Sequence, residues 1–597
     1  MRNIIDDSVK KKNAVKIKII ASVLAVILVI GCALTIYLLF GKNDSTAQII
    51  KNGTPQYTIV TPDNCSDALS AEISDLISKI KTETGIELSC IKASEATDKN
   101  KAYVLIGATG FEESNSAIEA LGANADAYTI ETTGKHVVVT GHFDSATADA
   151  VKYLGEHLVS EGYNASSQTL TLTAYAFEGA TALPTAFEAS ELSRYTVIYS
   201  DNTLGNQEAA EKIQKRIRDY TGITVNVGKD TETPETAYEI IVGKTNRRIS
   251  QKYFEDKTYL MQYKLVIEKG QVQIIGGGPY SAKLGGYALS SMLMDKNLSL
   301  TAGTHSEMDV ATESIPITEG ADVRIMTANL LTDEAVTEAT RDNFPVPAER
   351  AEILAKILVD YTPDFVGVQE MSAGFVEPLN NLLKIVKDTY GLNYSVILTE
   401  WNGKSNHCPI IYRADKYRLD YQNLTPAYYL PNGTPPSKNW GNWYDNATAA
   451  AKFTSLTDPT VEIALLTSHW YWETEQEAAN NGLIRQEIDA RTMTDVFNYV
   501  KETFPNAKIF CTGDFNSHRF SGKYFNQFLS NISGAVASNI ARSNGVLKES
   551  YKHQGVYIDH IIGKNATFDV LLHSGTKNAS STLTDHQPVF ADIKFTK

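Results

Sequence analysis

Cysteine is scarce in this chain: five occur among 597 residues, and one of them, Cys32, lies inside an apolar N-terminal stretch. A domain that depends on disulfides for its stability carries cysteine at a much higher density, so a disulfide-rich scaffold is excluded. Cys65 and Cys90 each lie near the end of an expected strand. A disulfide between them and two free thiols are equally open interpretations.

A surplus of basic residues is also missing. The chain has 55 Lys and Arg against 70 Asp and Glu, a formal net charge of −15 and a pI near 5.3. This charge excludes a broadly basic surface that coats nucleic acid. It does not exclude a nuclease, because a catalytic cleft can be locally basic or can use metal ions. The apolar fraction of 43% and the charged fraction of 21% are typical of globular domains. The length predicts about three to five of them.

One uncharged run of 22 residues, 19–40, would be about 33 Å long as a helix and could cross a bilayer. Five lysines precede it, which predicts a cytoplasmic basic tail at residues 1–18 and places the remaining chain outside the cytoplasm. Residues 29–32 resemble a bacterial lipoprotein box, but the run continues to Phe40, which favours an uncleaved signal anchor. Residues 41–55, rich in small polar residues and glycine, are predicted to be a flexible linker.

The region after residue 56 contains a pattern that returns about 137 residues later. Each copy opens with a short apolar strand, at Tyr57 or Tyr195. An amphipathic helix follows and ends at a Thr-Gly-Ile turn that contains Gly85 or Gly222. The predicted order is β-α-β-β-β-α in both copies. The predicted bounds of these α/β repeats are 56–165 and 194–300, with connectors at 160–193 and 295–320.

Three glycines, 276–278, precede a helix in the second copy and have the form of a phosphate-binding loop. No Lys-Ser or Lys-Thr pair follows, as a Walker motif requires, so a tight strand-to-helix turn is favoured. This turn and residues 241–247 resemble the small α/β domain at the N-terminus of some glycoside hydrolases, such as hexosaminidases and α-glucuronidases. That resemblance implies a fold and no activity. We find no catalytic constellation in residues 56–300, and a spacer or binding role is expected for them.

The segment 509–517 is an apolar run that ends at Gly513 and then presents Asp514 and Asn516 two residues apart. It predicts a buried strand that carries a carboxylate and an amide on one side of its end. Such a pair is suited to orienting a water molecule and holding a phosphate oxygen. A strand followed by an Asx-type turn is the alternative that this segment alone leaves open.

Polar side chains recur at the other strands expected after residue 321. One such residue is usually exposed and without function, whereas six in series are not expected by chance. Asp559 lies between apolar residues, where an unpaired carboxylate would be costly. The polar residues at or within the six expected strands are Asn329, Glu370, His469, Asp514, Asp559, and Asp585 with His586.

In order and spacing, these motifs resemble those of the endonuclease/exonuclease/phosphatase superfamily, which includes deoxyribonucleases, sphingomyelinases and inositol polyphosphate 5-phosphatases. The resemblance covers about 275 residues and implies divalent-metal-dependent phosphoester hydrolysis. It also implies a four-layer α/β sandwich at residues 321–597. The expected fold class is therefore α/β: this sandwich, preceded by two tandem small α/β domains and an N-terminal transmembrane helix.

The resemblance implies a metal site. Glu370 is expected to be the principal Mg²⁺ ligand and Asp585 a second carboxylate on the metal side, with Mn²⁺ or Ca²⁺ as alternatives to Mg²⁺. Carboxylate and water oxygens are the ligands that Mg²⁺ prefers. His586 is expected to be the general base or the electrostatic partner of the attacking water, oriented by Asp559.

The remaining motif residues are expected to act on the substrate. Asp514 would position or activate the nucleophile, Asn329 and Asn516 would bind phosphate oxygens, and His469 would steady the leaving oxygen. The pattern departs from the family at Leu331, where some nucleases carry an acidic metal ligand. A second metal ion held through that position is therefore not expected.

The substrate is less well specified. Residues 321–597 hold 25 Lys and Arg against 31 Asp and Glu, which favours a small phosphorylated molecule or headgroup over duplex DNA. An aromatic segment at 428–444, with 470–472 after His469, could stack on bases, sugars or a headgroup, or could pack on itself. The alternatives to a membrane-anchored phosphohydrolase are an extracellular DNase-like nuclease and a surface binding protein with a vestigial catalytic domain.

Overall fold

The structure is a computed structural model. By its internal contacts the chain divides into two units. The first comprises Met1–Pro184, Asp230–Ala237 and Asn246–Arg248, and the second comprises Thr185–Lys229, Tyr238–Thr245 and Ile249–Lys597. The described residues are 46–98, 100–254, 259–308, 314–333, 344–398, 400–401, 404–405, 408–426, 447–472, 485–517, 522–541, 550–551, 556–576 and 582–596.

The membrane anchor predicted at residues 19–40 lies outside these ranges. Within them, no helix combines the length and the apolar character that crossing a bilayer requires.

The first unit contains a four-stranded and a six-stranded sheet. Its strands are β1 (Thr46–Lys51), β2 (Thr54–Pro55), β3 (Tyr57–Thr61), β4 (Cys90–Lys92), β5 (Ala102–Ile106), β6 (Tyr128–Thr133), β7 (His136–Gly141), β8 (Tyr163–Asn164), β9 (Thr169–Thr173) and β10 (Tyr175–Phe177). Its main helices are α1 (Asp67–Thr84), α2 (Glu112–Ala120) and α3 (Asp144–Tyr153). The strand orders are β2-β1-β9-β8 and β10-β6-β7-β5-β3-β4. Cys65 and Cys90 are free thiols.

The second unit begins with a sheet of the same design. Its strands are β11 (Ala186–Glu188), β12 (Thr196–Tyr199), β13 (Asn226–Lys229), β14 (Glu239–Val242), β15 (Tyr263–Glu268), β16 (Gln271–Gly276), β17 (Ser299–Thr301) and β18 (Gly303–Met308). The helices are α4 (Asn206–Thr221), α5 (Arg248–Tyr253) and α6 (Pro279–Met292). The order β13-β12-β14-β16-β15-β18 repeats that of the six-stranded sheet in the first unit. The two copies therefore share one topology, and each sheet has six strands where the predicted order has four.

Both copies end their first helix at the predicted glycine. Gly85 and Gly222 adopt left-handed conformations, with φ of 71° and 76°. Each donates its N–H to the carbonyl four residues earlier, that of Lys81 or Arg218. A residue with a Cβ resists this conformation, which explains why the helices stop there.

The prediction of a flexible linker at 41–55 is wrong from Thr46 onward. β1 pairs with β9, and Ala47 and Ile50 lie opposite Leu172 and Leu170. All four side chains are buried in one apolar cluster. The small polar residues that suggested a linker alternate with these apolar residues along the strand. The predicted connectors likewise contain strands, among them β9, β10 and β18.

The C-terminal part contains two six-stranded sheets. The strands are β19 (Val323–Asn329), β20 (Phe365–Gln369), β21 (Tyr394–Ile397), β22 (Glu400–Trp401), β23 (Lys404–Ser405), β24 (Ile410–Arg413), β25 (Tyr417–Pro426), β26 (Ala447–Ser455), β27 (Glu462–His469), β28 (Lys508–Asp514), β29 (Ala535–Ala537), β30 (Asp559–Lys564), β31 (Phe568–Gly575) and β32 (Val589–Phe595). The helices are α7 (Pro347–Tyr361), α8 (Ala373–Tyr390), α9 (Arg485–Thr503), α10 (Lys523–Asn531) and α11 (Ser538–Ala541). Sheet I has the order β21-β24-β20-β19-β32-β31, and sheet II has the order β25-β26-β27-β28-β30-β29.

The two sheets pack face to face. Ile325 and Phe365 of sheet I share one buried cluster with Phe453, Leu465 and Phe510 of sheet II. The opposite face of sheet I packs against α7 and α8, and the opposite face of sheet II packs against α9 and α10. These layers form the four-layer α/β sandwich that was expected for this region.

The interior between the sheets becomes polar toward one end. Gln369 accepts a hydrogen bond from the Thr327 hydroxyl at 3.2 Å and donates one to the Thr467 hydroxyl at 2.8 Å. Gly367 lies beside them with no space for a side chain. A Cβ there would stand 1.9 Å from Thr512 Oγ1 and 2.7 Å from Thr467 Oγ1. This glycine is therefore required by the close approach of the two sheets.

We expect Gly367→Ala to lower the free energy of unfolding by about 1–3 kcal/mol, because the added methyl group overpacks a rigid interior. Gly374→Ala is the matched control, since a Cβ there meets nothing closer than 3.6 Å. Chemical denaturation followed by circular dichroism measures both variants. Equal free energies of unfolding for the two variants would show that the sheets can move apart to accommodate the methyl group without loss of stability.

Candidate active site

Strand register places several of the predicted residues side by side. In sheet II, β28 pairs in parallel with β27 and antiparallel with β30. His469, Asp514 and Asp559 are consecutive Cα partners across these three strands. In sheet I, Asn329 is the partner of Gln369, and Glu370 follows directly. Side chains of such partners lie close enough to interact.

Asp514 is the centre of the group. Its Oδ2 accepts a hydrogen bond from Asn329 Nδ2 at 3.0 Å and lies 3.6 Å from His586 Nε2 and 3.7 Å from His469 Nε2. Its Oδ1 accepts the Asn516 backbone N–H at 2.9 Å. Groups from both sheets therefore converge on one buried carboxylate.

Glu370 stands at the more open side of this group. Its Oε1 accepts a hydrogen bond from Asn329 Nδ2 at 2.8 Å and lies 3.5 Å from His469 Nε2. Its Oε2 accepts the Thr332 backbone N–H at 2.9 Å. The Glu370 and His469 side chains are 16% and 18% exposed, against 2% for Asp514. A molecule entering from solvent therefore meets these two side chains first.

His586 is held between two carboxylates. Its Nδ1 lies 2.8 Å from Asp559 Oδ2, and its Nε2 faces Asp514. Burial disfavours the imidazolium, but the charges of Asp559 and Asp514 outweigh it and raise the pKa of His586 to about 10. His586 is therefore a cation at neutral pH in the metal-free protein, which favours the electrostatic role over that of a base.

The two nearby acids differ in pKa. Burial and the charge of Asp559 raise the pKa of Asp514 to about 6, against the opposing effect of the two histidines. Burial also acts to raise the pKa of Glu370, but His469, the Thr332 N–H and Asn329 outweigh it and leave that pKa below its usual value. Glu370 is therefore ionised at neutral pH, and Asp514 can exchange a proton there.

Two triplets of side chains have the spacing of a metal site. The ligand atoms of Glu370, His469 and Asp514 lie within 4.8 Å of one another, as do those of Asp514, Asp559 and His586. The first triplet fits Mg²⁺, because it offers two carboxylates and reaches solvent that can supply water ligands. The second is fully buried, and its Asp559 and His586 are already hydrogen-bonded to each other at 2.8 Å.

Of the eight non-glycine residues with positive φ in the part of the chain that the structure describes, three lie at this site. Leu331, Glu370 and Asn516 have positive φ, at 58°, 55° and 44°. Glutamate and leucine rarely adopt this conformation, which costs of order 1 kcal/mol or more at each residue. Strain of this kind persists where surrounding structure enforces it, and it clusters at functional sites.

Both asparagines expected to bind phosphate already bind protein groups. Asn329 donates to the two acids, and its Oδ1 accepts the Leu331 N–H at 2.9 Å. Asn516 Nδ2 donates to the Trp470 carbonyl at 2.8 Å and lies 3.2 Å from His469 Nε2. The Asn516 N–H bond to Asp514 is also the Asx-type turn that the sequence left open. Phosphate binding by the two amides stays a prediction.

Asp585 is not a member of either triplet. Its side chain is partly exposed, and its Oδ1 lies 3.4 Å from the Thr584 hydroxyl. Its charge contributes to the raised pKa of His586. The role of Asp585 as a second metal-side carboxylate stays a prediction.

Residues outside the motifs also support the site. The Tyr551 ring lies 4.9 Å from the His586 ring, centroid to centroid. Ser550 Oγ accepts the backbone N–H groups of Ile558 and Asp559, both at 3.0 Å. Neither residue stands at a strand end or in a recognisable motif, so no signal in the sequence marks them.

The aromatic rim is only partly described. Residues 428–444 lie outside the described residues. Trp470 is fully buried between Phe515 and Phe528 and cannot stack on a ligand, whereas Trp472 is 55% exposed. Two histidines outside the motifs, His560 and His573, are buried. His407, His518 and His553 lie outside the described residues.

No family model and no curated protein matches the chain. Solved structures do match. A mannosyl-6-phosphatase from Bacteroides thetaiotaomicron is 18% identical and covers 46% of this chain and 99% of its own, with a TM-score of 0.35. An endonuclease/exonuclease/phosphatase protein from Bacteroides vulgatus is 18% identical over 46% and 99%, with a TM-score of 0.37. The human Nocturnin catalytic domain is 14% identical over 47% and 97%, with a TM-score of 0.35. The first two of these similarities each cover 46% of this chain.

A raised pKa in the folded state makes the stabilising effect of His586 depend on pH. The effect is fully present below pH 6.5 and is lost as the pH rises toward about 10. We therefore expect the Tm advantage of the wild type over His586→Gln, measured in EDTA by circular dichroism, to shrink across this window. In an Asp559→Asn background the loss should occur at lower pH. A constant or growing difference would contradict the assigned protonation.

Proposed function

We propose that the C-terminal sandwich is a divalent-metal-dependent phosphoester hydrolase that acts on a small phosphorylated molecule or headgroup. The observation that carries the proposal is the convergence on Asp514. Side-chain nitrogens of Asn329, His469 and His586 lie within 3.7 Å of one of its oxygens, and Glu370 closes the group at the solvent side. Fixed donors and carboxylates of this kind suit a reaction that builds charge on phosphate oxygens.

Glu370, which belongs with His469 and Asp514 to the triplet that reaches solvent, is the carboxylate that would hold the metal ion. A bound Mg²⁺ supplies positive charge to the phosphate oxygens and lowers the pKa of a bound water. Hydrogen bonds from Asn329 and the Thr332 N–H keep Glu370 ionised and oriented for metal binding. These contacts fix the carboxylate before any ligand arrives.

Different side chains accept the proton and stabilise the developing negative charge. Asp514, with a pKa near 6, is suited to accept a proton from the attacking water at Oδ2. His586, kept cationic by Asp559, is suited to offset the charge of the pentavalent phosphorus from Nε2. His469 stands between Glu370 and Asn516, where it can donate to a phosphate or leaving oxygen.

Glu370→Gln removes the charge of the carboxylate and keeps its shape. We expect hydrolysis of bis-p-nitrophenyl phosphate in Mg²⁺ to fall about 10²–10³-fold, and EDTA to abolish it in the wild type. Glu377→Gln, at an exposed position on α8, is the matched control and should keep full activity. Activity that survives both EDTA and Glu370→Gln would rule out the metal mechanism.

A substrate panel separates the proposal from its alternatives. The panel contains p-nitrophenyl phosphate, a hexose phosphate, inositol phosphates, sphingomyelin and plasmid DNA, each with Mg²⁺ and with EDTA. We expect turnover of a small phosphoester or headgroup to exceed cleavage of DNA, in keeping with the acidic domain. Preferential cleavage of plasmid would favour a nuclease, and no turnover of any substrate would favour a binding protein.

We also propose that residues 19–40 anchor the chain in the cell membrane with its bulk outside the cytoplasm. The full chain should sediment with membranes after an alkaline wash, and a chain lacking residues 1–41 should remain soluble. Cys32→Ala distinguishes a lipid anchor, because only a lipoprotein would lose its sedimentation with this substitution. A full chain that stays in the soluble fraction would overturn the proposal.

A further inference from the structure

Helix α7 carries buried charges that the hydrolysis does not use. Every residue from Ala348 to Tyr361 is buried, including Glu349, Arg350 and Glu352. Burying an ionised side chain is costly unless it is paired, so each of these groups needs a partner. Lys356 and Asp360 pair with each other on α7, whereas Glu349, Arg350 and Glu352 find their partners in other elements. Those partners lie on two sides.

On one side, Glu352 caps a helix of the second repeat. Its carboxylate accepts the Ser281 N–H at 3.1 Å, the Ser281 hydroxyl at 2.7 Å and the Met261 N–H at 2.8 Å. Ser281 lies in the first turn of α6, where free N–H groups favour an anion. A Cβ on Gly278 would stand 2.5 Å from Glu352 Oε2. The glycine turn expected at 276–278 is therefore filled by a carboxylate of the sandwich.

Glu349 strengthens the same contact. Its two oxygens lie 2.5 Å from Lys283 Nζ and 3.0 Å from Lys212 Nζ. Glu349 is fully buried and Lys283 is 8% exposed. A buried pair of this kind is costly to break, because removing one partner leaves an uncompensated charge. The second repeat thus binds α7 through the carboxylates of Glu349 and Glu352.

On another side, Arg350 holds the loops that carry the site. With about 100° between successive residues, Arg350 projects away from both glutamates. Its Nη1 donates to the Leu330 carbonyl at 2.5 Å, the Leu331 carbonyl at 2.8 Å and the Leu583 carbonyl at 3.2 Å. Leu330 and Leu331 follow Asn329, and Leu583 precedes Asp585 and His586 by two and three residues. One guanidinium therefore joins two loops, and the farther of them, at Leu583, is 233 residues from Arg350 in sequence.

These contacts act on the site through the segment after Asn329. Arg350 fastens Leu331 in its left-handed conformation, and the Leu331 N–H orients the Asn329 amide. The next N–H, of Thr332, orients Glu370. A change in the position of Arg350 therefore reaches Glu370 through two successive hydrogen bonds and Asp514 through three.

We propose that Arg350 is a positioning residue for the site. The second repeat holds Arg350 in place by binding Glu349 and Glu352 on the same helix. The inference rests on the proposed function only for its catalytic readout. It assigns the second repeat a role in catalysis by the sandwich, beyond that of a spacer.

The first test compares two buried arginines in the full chain. Arg350→Lys keeps the charge but replaces the planar guanidinium, whose Nη1 reaches three carbonyls, with a shorter side chain. Arg324→Lys is the matched control, because Arg324 is equally buried but pairs with Asp592 at the opposite end of β19. We expect hydrogen exchange in peptides covering 329–333 and 582–588 to become about tenfold faster in Arg350→Lys and not in Arg324→Lys. Equal exchange in the two variants would overturn the role of Arg350.

The second test acts from the repeat. Gly278→Val forces the Glu352 carboxylate out of its place, and Gly222→Ala strains the same repeat at a position with no atom within 4 Å of the added Cβ. We expect Gly278→Val to accelerate exchange in the same two segments and Gly222→Ala to leave them unchanged. If only Arg350→Lys changes them, the role of the repeat is overturned.

A kinetic readout completes the design. On any substrate that the wild type turns over, Arg350→Lys and Gly278→Val should lower kcat about 10-fold or more with little change in KM, because geometry and not affinity is altered. A change in KM alone would contradict positioning. A wild type without activity would refute the proposed function and leave the exchange comparison valid, so the two failures are distinguishable.

Discussion

The site depends on the pairing register of one central strand. β28 is hydrogen-bonded to β27 and β30, and this register sets Asp514 between His469 and Asp559. A slip of one residue would turn Asp514 to the opposite face of the sheet and expose the apolar residues that now fill the interior. The same apolar packing that holds the two sheets together therefore fixes the carboxylate on which the other site residues converge. Two acids facing each other are tolerable because His586 lies between them as a cation.

Strain and polarity increase together toward this end of the sandwich. The hydrogen-bonded layer formed by Thr327, Gln369 and Thr467 separates the apolar interior from the site. Beyond it, Glu370 and Asn516 occupy left-handed conformations that an unsupported loop would relax. The sandwich, with the buried clusters on both sides of each sheet, supplies the support. A rigid framework of this kind keeps charged groups in fixed positions, whereas water molecules around such groups would have to reorient.

The strand-end residues could be predicted because each is preceded by an apolar run, and periodicity reports local structure directly. Asn329, Glu370, His469 and Asp514 were found this way, and the structure brings them within hydrogen-bond or ion-pair distance. The roles of the two asparagines could not be predicted in the same way. An amide side chain both donates and accepts hydrogen bonds, so its partners depend on the groups that the fold places around it. Tyr551 and Ser550 carry no local signal, since loops bring them to the site. The linker expected at 41–55 became β1 because pairing with β9 overrode its polar composition.

By itself, the sequence determined the α/β class, the duplicated repeat, the residues at the strand ends and the chemistry that they suit. These follow from periodicity, glycine turns and residue type, which are local properties. Only the tertiary structure decided that Asp514 is the centre of the site and that Arg350 and Glu352 join the second repeat to the sandwich. Such contacts connect residues far apart in the chain, and their free energies depend on burial and distance. Neither quantity exists until the layers have packed.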